Sequence, residues 1–179
     1  MFQEIISDVL LYWSRDEYLK HNFTSATLQK ETGSANGIIP IWGLSLYIMP
    51  LCYLHKEASD IYMIFREMYR LYFYSLHTIT NTKSSLLYQS ILFETLLKQT
   101  DASLFYYLVS IGAPPLQIAY RWIVYAFVGV LDVEQVLHLW DRMIAFDTCD
   151  ILAVAAASIF RFRRKHLVTA RSLADVNVN

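Results

Sequence analysis

An all-α array of about eight helices is the fold class that the sequence predicts. Three observations carry it. Apolar residues recur at three- and four-residue spacings along most of the chain. Short alternating segments joined by hairpin turns are scarce, since Asn36-Gly37 leads into Ile38-Ile39-Pro40 rather than a clean strand. The five glycines and four prolines fall mostly between the apolar runs. The 179 residues are 55 % hydrophobic and only 17 % charged, with a mean hydropathy of +0.31. A disordered chain has the opposite balance. A formal net charge of −1 lacks the basic excess of a nucleic-acid binder, so nucleic acid is not an expected partner. Cys52 and Cys149 are too few for a disulfide framework, and Met1-Phe2-Gln3-Glu4 lacks the basic start of a signal peptide. Both point to the cytoplasm.

The elements follow in order. Residues 3–20 form a first helix, with Ile5, Ile6, Val9, Leu10 and Trp13 on one side. Residues 21–37 are rich in Ser, Thr and Asn and read as a loop. Residues 41–54 are a very apolar helix, bent or begun afresh at Pro50, where a backbone donor is missing. Residues 57–76 are a long amphipathic helix through Ile61, Ile64, Phe65, Met68 and Tyr72, and residues 84–99 another through Leu87, Ile91, Leu92 and Leu96. Asp101 caps a short helix over 103–110, Pro114 stops it, and Pro115 opens the next in its first turn. Asp132-Val133-Glu134-Gln135 has the form of a capping box. It opens a helix through Val136, Leu137, Trp140 and Ile144. Asp147 or Thr148 caps the last helix, which ends in Arg161-Phe162-Arg163-Arg164-Lys165-His166.

Two charge-free stretches, 32–54 and 102–120, are the candidates for a membrane span. A span needs about 20 predominantly apolar residues in a row. Prolines and glycines break both, so no span is expected, and a small integral membrane protein is the alternative.

Chemistry is sparse. His21, His55, His77, His138 and His166 show no metal-binding spacing, and no Gly-rich phosphate loop is present. The aromatics Tyr62, Phe65, Tyr69, Tyr72, Phe73 and Tyr74 sit at helical spacing and read as core or partner surface rather than as a stack for bases. Arg161 to Lys165 suit a helix C-terminus, with peripheral contact to anionic lipid as the sharper alternative.

The segment Tyr120-Arg121-Trp122-Ile123-Val124-Tyr125-Ala126-Phe127, followed by Val136-Leu137-His138-Leu139-Trp140-Asp141-Arg142-Met143-Ile144, resembles the C-terminal half of a TBC domain, the fold of Rab GTPase-activating proteins. In that family an aromatic helix with a Trp is followed by a turn and a helix ending in Trp-Asp. Trp122, Trp140 and Asp141 match. The two Trp side chains are expected as core anchors with one donor each, and Asp141 as an acceptor for a neighbouring helix. The run Gly43-Leu44-Ser45-Leu46-Tyr47-Ile48-Met49-Pro50-Leu51-Cys52 is similar to one branch of the family in particular.

Active members carry Ile-x-x-Asp-x-x-Arg, whose Arg is an arginine finger. The similar stretch here is Ile5-Ile6-Ser7-Asp8-Val9-Leu10-Leu11, with Leu11 at the arginine position and Arg15 four residues beyond. Their Tyr-x-Gln-Gly motif is matched by Pro40-Ile41-Trp42-Gly43, with Trp42 at the glutamine position. The resemblance implies a module over residues 1–167 with a tail over 168–179, lacking the family's first helices. It implies a Rab-type GTPase as partner through a surface of Asp8, Leu11, Trp42 and Gly43, and a role in membrane trafficking. The chain would be an activator or regulator rather than an enzyme in its own right. It would need no cofactor, because GTP and magnesium belong to the partner. The replaced fingers imply weak or lost catalysis. The alternatives are an active module that uses Arg15 or an upstream arginine, and a helical interaction domain with no GTPase link. Apolar surface left bare by absent helices would make the chain aggregation-prone or dependent on a partner.

Overall fold

A computed structural model describes residues 2–23, 43–77 and 85–178, which fall into two compact units, residues 1–74 and 75–179. The first contains α1 (Phe2–Arg15), α2 (Glu17–Phe23), α3 (Leu44–Ile48), a 3-10 turn over Pro50–Tyr53, α4 (Ala58–Met68) and a π-helical turn over Tyr69–Phe73. A further 3-10 turn, Tyr74–His77, lies at the division.

The expected helix over 3–20 is two helices. Asp16 breaks it: its Oδ1 accepts the N–H groups of Tyr18 (2.7 Å) and Leu19 (3.2 Å), so it caps α2. Buried Leu19 lies six positions after Trp13, off the apolar side of α1, and belongs to α2. Residues 21–23 close α2, and residues 24–37 of the expected loop lie outside the described residues. The break expected at Pro50 occurs, where α3 gives way to a 3-10 turn that starts at that residue, and residues 41 and 42 lie outside the described residues. The helix expected over 57–76 widens after Met68. Adding a residue per turn there lets Tyr69, Tyr72 and Phe73 all reach the interior, each no more than 6 % exposed. Tyr47 of α3 stacks on Phe73 with centroids 4.2 Å apart, and Trp13 of α1 meets Tyr69 edge-on at 5.8 Å.

The second unit contains α5 (Leu86–Ser110), α6 (Pro115–Val124), α7 (Val133–Ala145), α8 (Asp150–Phe162), α9 (Arg164–Leu167) and α10 (Leu173–Val178). Helix α8 lies against α5, α6 and α7. Its buried side is Leu152, Ala153, Ala156, Ala157 and Phe160, and the small alanines let neighbouring helices approach. Phe160 packs on Phe93 of α5 and on Trp122 of α6.

Several punctuation signals hold. Asp101 leaves helical geometry (φ −153, ψ 72) and kinks α5, and its Oδ1 accepts the Leu104 N–H at 3.1 Å. Pro115 opens α6. Thr148 Oγ1 accepts the Asp150 N–H at 3.2 Å, while Asp147 ends α7 in the left-handed region (φ 48). The capping box does not form: Asp132 takes the N-cap position, but its side chain accepts no cap hydrogen bond. Both Asp132 and Gln135 are exposed, where water competes for the same groups. The last helix ends at Phe162, and α9 and α10 follow it. With the split at Asp16, the described residues hold ten α-helical segments instead of about eight. No β-strand occurs and no helix is long and apolar enough to cross a membrane among the described residues.

Burial lowers the pKa of His77 to about 4. A histidine held neutral in the fold and free to charge when unfolded contributes stability that is present above its unfolded value and lost as pH falls toward its folded one. Stability of the second unit is expected to fall between pH about 6.5 and 4, by up to about 3 kcal/mol. Urea titrations across that range check it, and His77→Gln should flatten the dependence.

Candidate functional site

Helix α1 has two sides. Val9 and Trp13 face inward. Asp8, Leu11 and Arg15 recur at three- and four-residue spacing on the opposite side, and all are exposed, Leu11 at 43 %. The fold thus gathers these expected site residues on one solvent-facing stripe, with half-exposed Tyr12 beside them. Arg15 sits about 6 Å further along the axis than Leu11. Helical side chains lean toward the N-terminus, so Arg15 leans over the Leu11 turn. It makes no ion pair with a described residue.

Helix α3 packs against α1 in the same unit, and Gly43 precedes it. Gly43 has φ 84, in the left-handed region that a side chain disfavours, and its carbonyl accepts the Leu46 N–H at 2.9 Å. The glycine match thus has a conformational cause. Gly43→Ala is expected to cost about 1–2 kcal/mol in chemical denaturation. Trp42 lies outside the described residues.

Behind the stripe is a polar cluster that sequence reasoning missed. Asp16 accepts a hydrogen bond from the Tyr62 hydroxyl on α4 and lies 3.8 Å from Arg66. Arg66 in turn meets Glu67 at 3.2 Å and lies over the Tyr18 ring at 5.2 Å. Burial first, then the Asp16 carboxylate, pushes the Tyr62 hydroxyl well above the ordinary tyrosine range. Tyr62 is therefore a neutral donor at any physiological pH. The cluster ties the end of α1 to α4 and so orients the exposed stripe. Asp16-Glu17 ahead of an apolar residue was the available signal, an N-cap followed by an acidic first turn.

In the second unit the three motif residues divide. Trp140 is 2 % exposed, and its Nε1 donates to the Ala126 carbonyl at 3.0 Å. That carbonyl belongs to a tight turn in which Ala126 (φ 45) and Phe127 (φ 67) are both left-handed. Trp122 is half-buried, tilted against Phe127 and Phe160. Asp141 does not meet its expectation. It is exposed on α7 and makes no hydrogen bond or ion pair with a described residue. The turn of α7 that buries Trp140 points the next residue away. No cluster of His, Cys, Asp and Glu that could hold a metal ion occurs among the described residues.

Comparison with known proteins accords with this arrangement. The model of the Rab-GTPase-TBC domain matches residues 27–168. The stripe on α1 precedes that match. The chain is 42 % identical over 189 aligned positions to human TBC1 domain family member 19, covering 97 % of this chain and 36 % of that protein. The chain therefore spans about a third of the length of the curated relative it matches. That relative is of the branch that the run Gly43 to Cys52 resembles. No solved structure matches the chain. A helical fold, a Trp140 buried beneath the preceding turn and a family match over most of the sequence converge: this chain belongs to the Rab-GTPase-TBC domain family.

Proposed function

We propose that this chain is a cytoplasmic module that binds a Rab-type GTPase through the exposed face of α1 and the start of α3, and that it contributes little or no catalysis. One observation supports the reading: Leu11, which the resemblance sets at the arginine-finger position, is an apolar residue left exposed on the stripe. An exposed leucine between Asp8 and Arg15 suits a contact surface. It cannot neutralise charge on a transferring phosphoryl group. Trp42, at the glutamine position, carries only an N–H donor and cannot accept a hydrogen bond from the attacking water. Nucleotide and magnesium would be held by the GTPase. The module would regulate trafficking by scaffolding or by competing with active relatives.

The test is binding of the 179-residue chain to a panel of Rab GTPases loaded with GDP or a GTP analogue. At least one is expected to bind. Asp8→Arg with Leu11→Glu should weaken it by at least about tenfold, since exposed charge reversals at an interface centre remove both fit and steering. Unchanged helical circular dichroism would show that the fold persists. No binding to any panel member in either state overturns the reading.

Arg15 favours a second reading, an active module. It is exposed on the same stripe, leans toward Leu11 and has no carboxylate partner among the described residues.

A further inference from the structure

We infer that the turn joining α8 to α9 docks on an anionic bilayer surface. The observation that starts the argument is Phe162, which is 90 % exposed at the last position of α8. Phe160, two residues earlier, is 1 % exposed and fills the core. The helix register that buries one ring throws the other into solvent. Arg161, Arg164, Lys165 and His166 are exposed around it, and Arg163 is half-buried.

A helix C-terminus accounts for the cations, because they suit its partial negative charge. It does not account for a bare aromatic ring among them. The charges are also largely uncommitted: Arg161, Arg163 and Lys165 make no ion pair with a described residue. Arg164 is the exception, and its role is to hold the turn in place. Its Nε donates to Asp101 Oδ2 at 2.6 Å and its NH2 group donates to Ser103 Oγ at 3.0 Å, across to the kink of α5. Burial alone would raise the Asp101 carboxyl, but the Leu104 N–H, Ser103 and Arg164 together bring its pKa below the ordinary value, so this clamp stays charged. The knob is thus presented from a fixed position.

A ring that wants an apolar medium, ringed by cations that want phosphate, matches the headgroup boundary of an acidic leaflet. An acidic peptide would satisfy the charges and leave the ring bare. A single-stranded nucleic acid needs several stacking rings along a basic track, and here there is one ring in a chain of net charge −1. The turn belongs to the second unit and α1 to the first, and the inference does not rest on Rab binding.

The test is co-sedimentation of the chain with vesicles of phosphatidylcholine, with or without phosphatidylserine. Binding is expected only where phosphatidylserine is present and should weaken as salt shortens the screening length below about 10 Å. Phe162→Ala should lower it about fivefold, the effect of withdrawing part of one aromatic side chain from an apolar phase. Arg161→Glu with Lys165→Glu should lower it by at least about 25-fold, at about fivefold per cation removed from an anionic surface. All three side chains are exposed, so melting temperature should not move. Equal binding to both vesicle types overturns the inference. So does phosphatidylserine binding that Phe162→Ala leaves unchanged, or capture by a short RNA or an acidic peptide in place of vesicles.

Discussion

GTP hydrolysis by a bound Rab is expected to stay at its intrinsic rate when this chain is added in excess in a single-turnover assay. An arginine finger contributes about 10³–10⁵ in rate by stabilising charge on the transferring phosphoryl group. On the proposed reading the finger position falls on Leu11 of α1, whose aliphatic side chain offers neither charge nor a donor. Leu11→Arg together with Trp42→Gln is expected to raise hydrolysis at least about tenfold, a small fraction of a full finger, because neither side chain evolved in position. Leu11 is exposed at 43 %, so arginine is accommodated there without disturbing the core. The competing outcome is just as concrete. Acceleration by the unaltered chain, abolished by Arg15→Ala, would transfer the finger role to Arg15 and replace the weak-catalysis reading. Acceleration that survives Arg15→Ala would point to an arginine elsewhere.

Trp140→Ala is expected to destabilise the second unit by about 3–5 kcal/mol in chemical denaturation. Two losses add. The indole is 2 % exposed, so its removal leaves a cavity that surrounding helices fill only in part. Its Nε1 also holds the Ala126 carbonyl at 3.0 Å, and that carbonyl sits in a turn with two successive non-glycine residues in the left-handed region. Each such residue costs about 1–2 kcal/mol to hold, so the turn depends on the contacts around it. Trp140→Phe separates the terms. It keeps most of the ring volume and leaves the carbonyl without this partner, an expected cost of about 1–3 kcal/mol. If Trp140→Phe is neutral, the hydrogen bond contributes nothing and the residue acts through volume alone. Asp141→Ala, by contrast, should be within about 0.5 kcal/mol of the parent, as expected for an exposed side chain.

Legibility differed from residue to residue for definite reasons. Apolar spacing identified the helical class and most of the core, because burial selects one side of each helix and the period shows in sequence. Pro115 and Asp101 were legible because backbone geometry and capping are local. The break at Asp16 was not. Asp16 is held by Tyr62 and Arg66, forty-six and fifty positions away in sequence. The capping box at Asp132 was misleading for the converse reason. The residue types were right, but the site is exposed and nothing fixes the side chain.

By itself the sequence determined an all-α member of a GTPase-regulating family, since composition, period and motif are properties of residue identity. Tertiary structure decided the rest. It placed Asp8, Leu11 and Arg15 on the outward side of α1, held that helix through the Asp16 cluster, buried Trp140 under a strained turn while leaving Asp141 in water, and set Phe162 outside when Phe160 went in. Those outcomes depend on which side of a helix meets its neighbours, and packing settles that only once the helices are together.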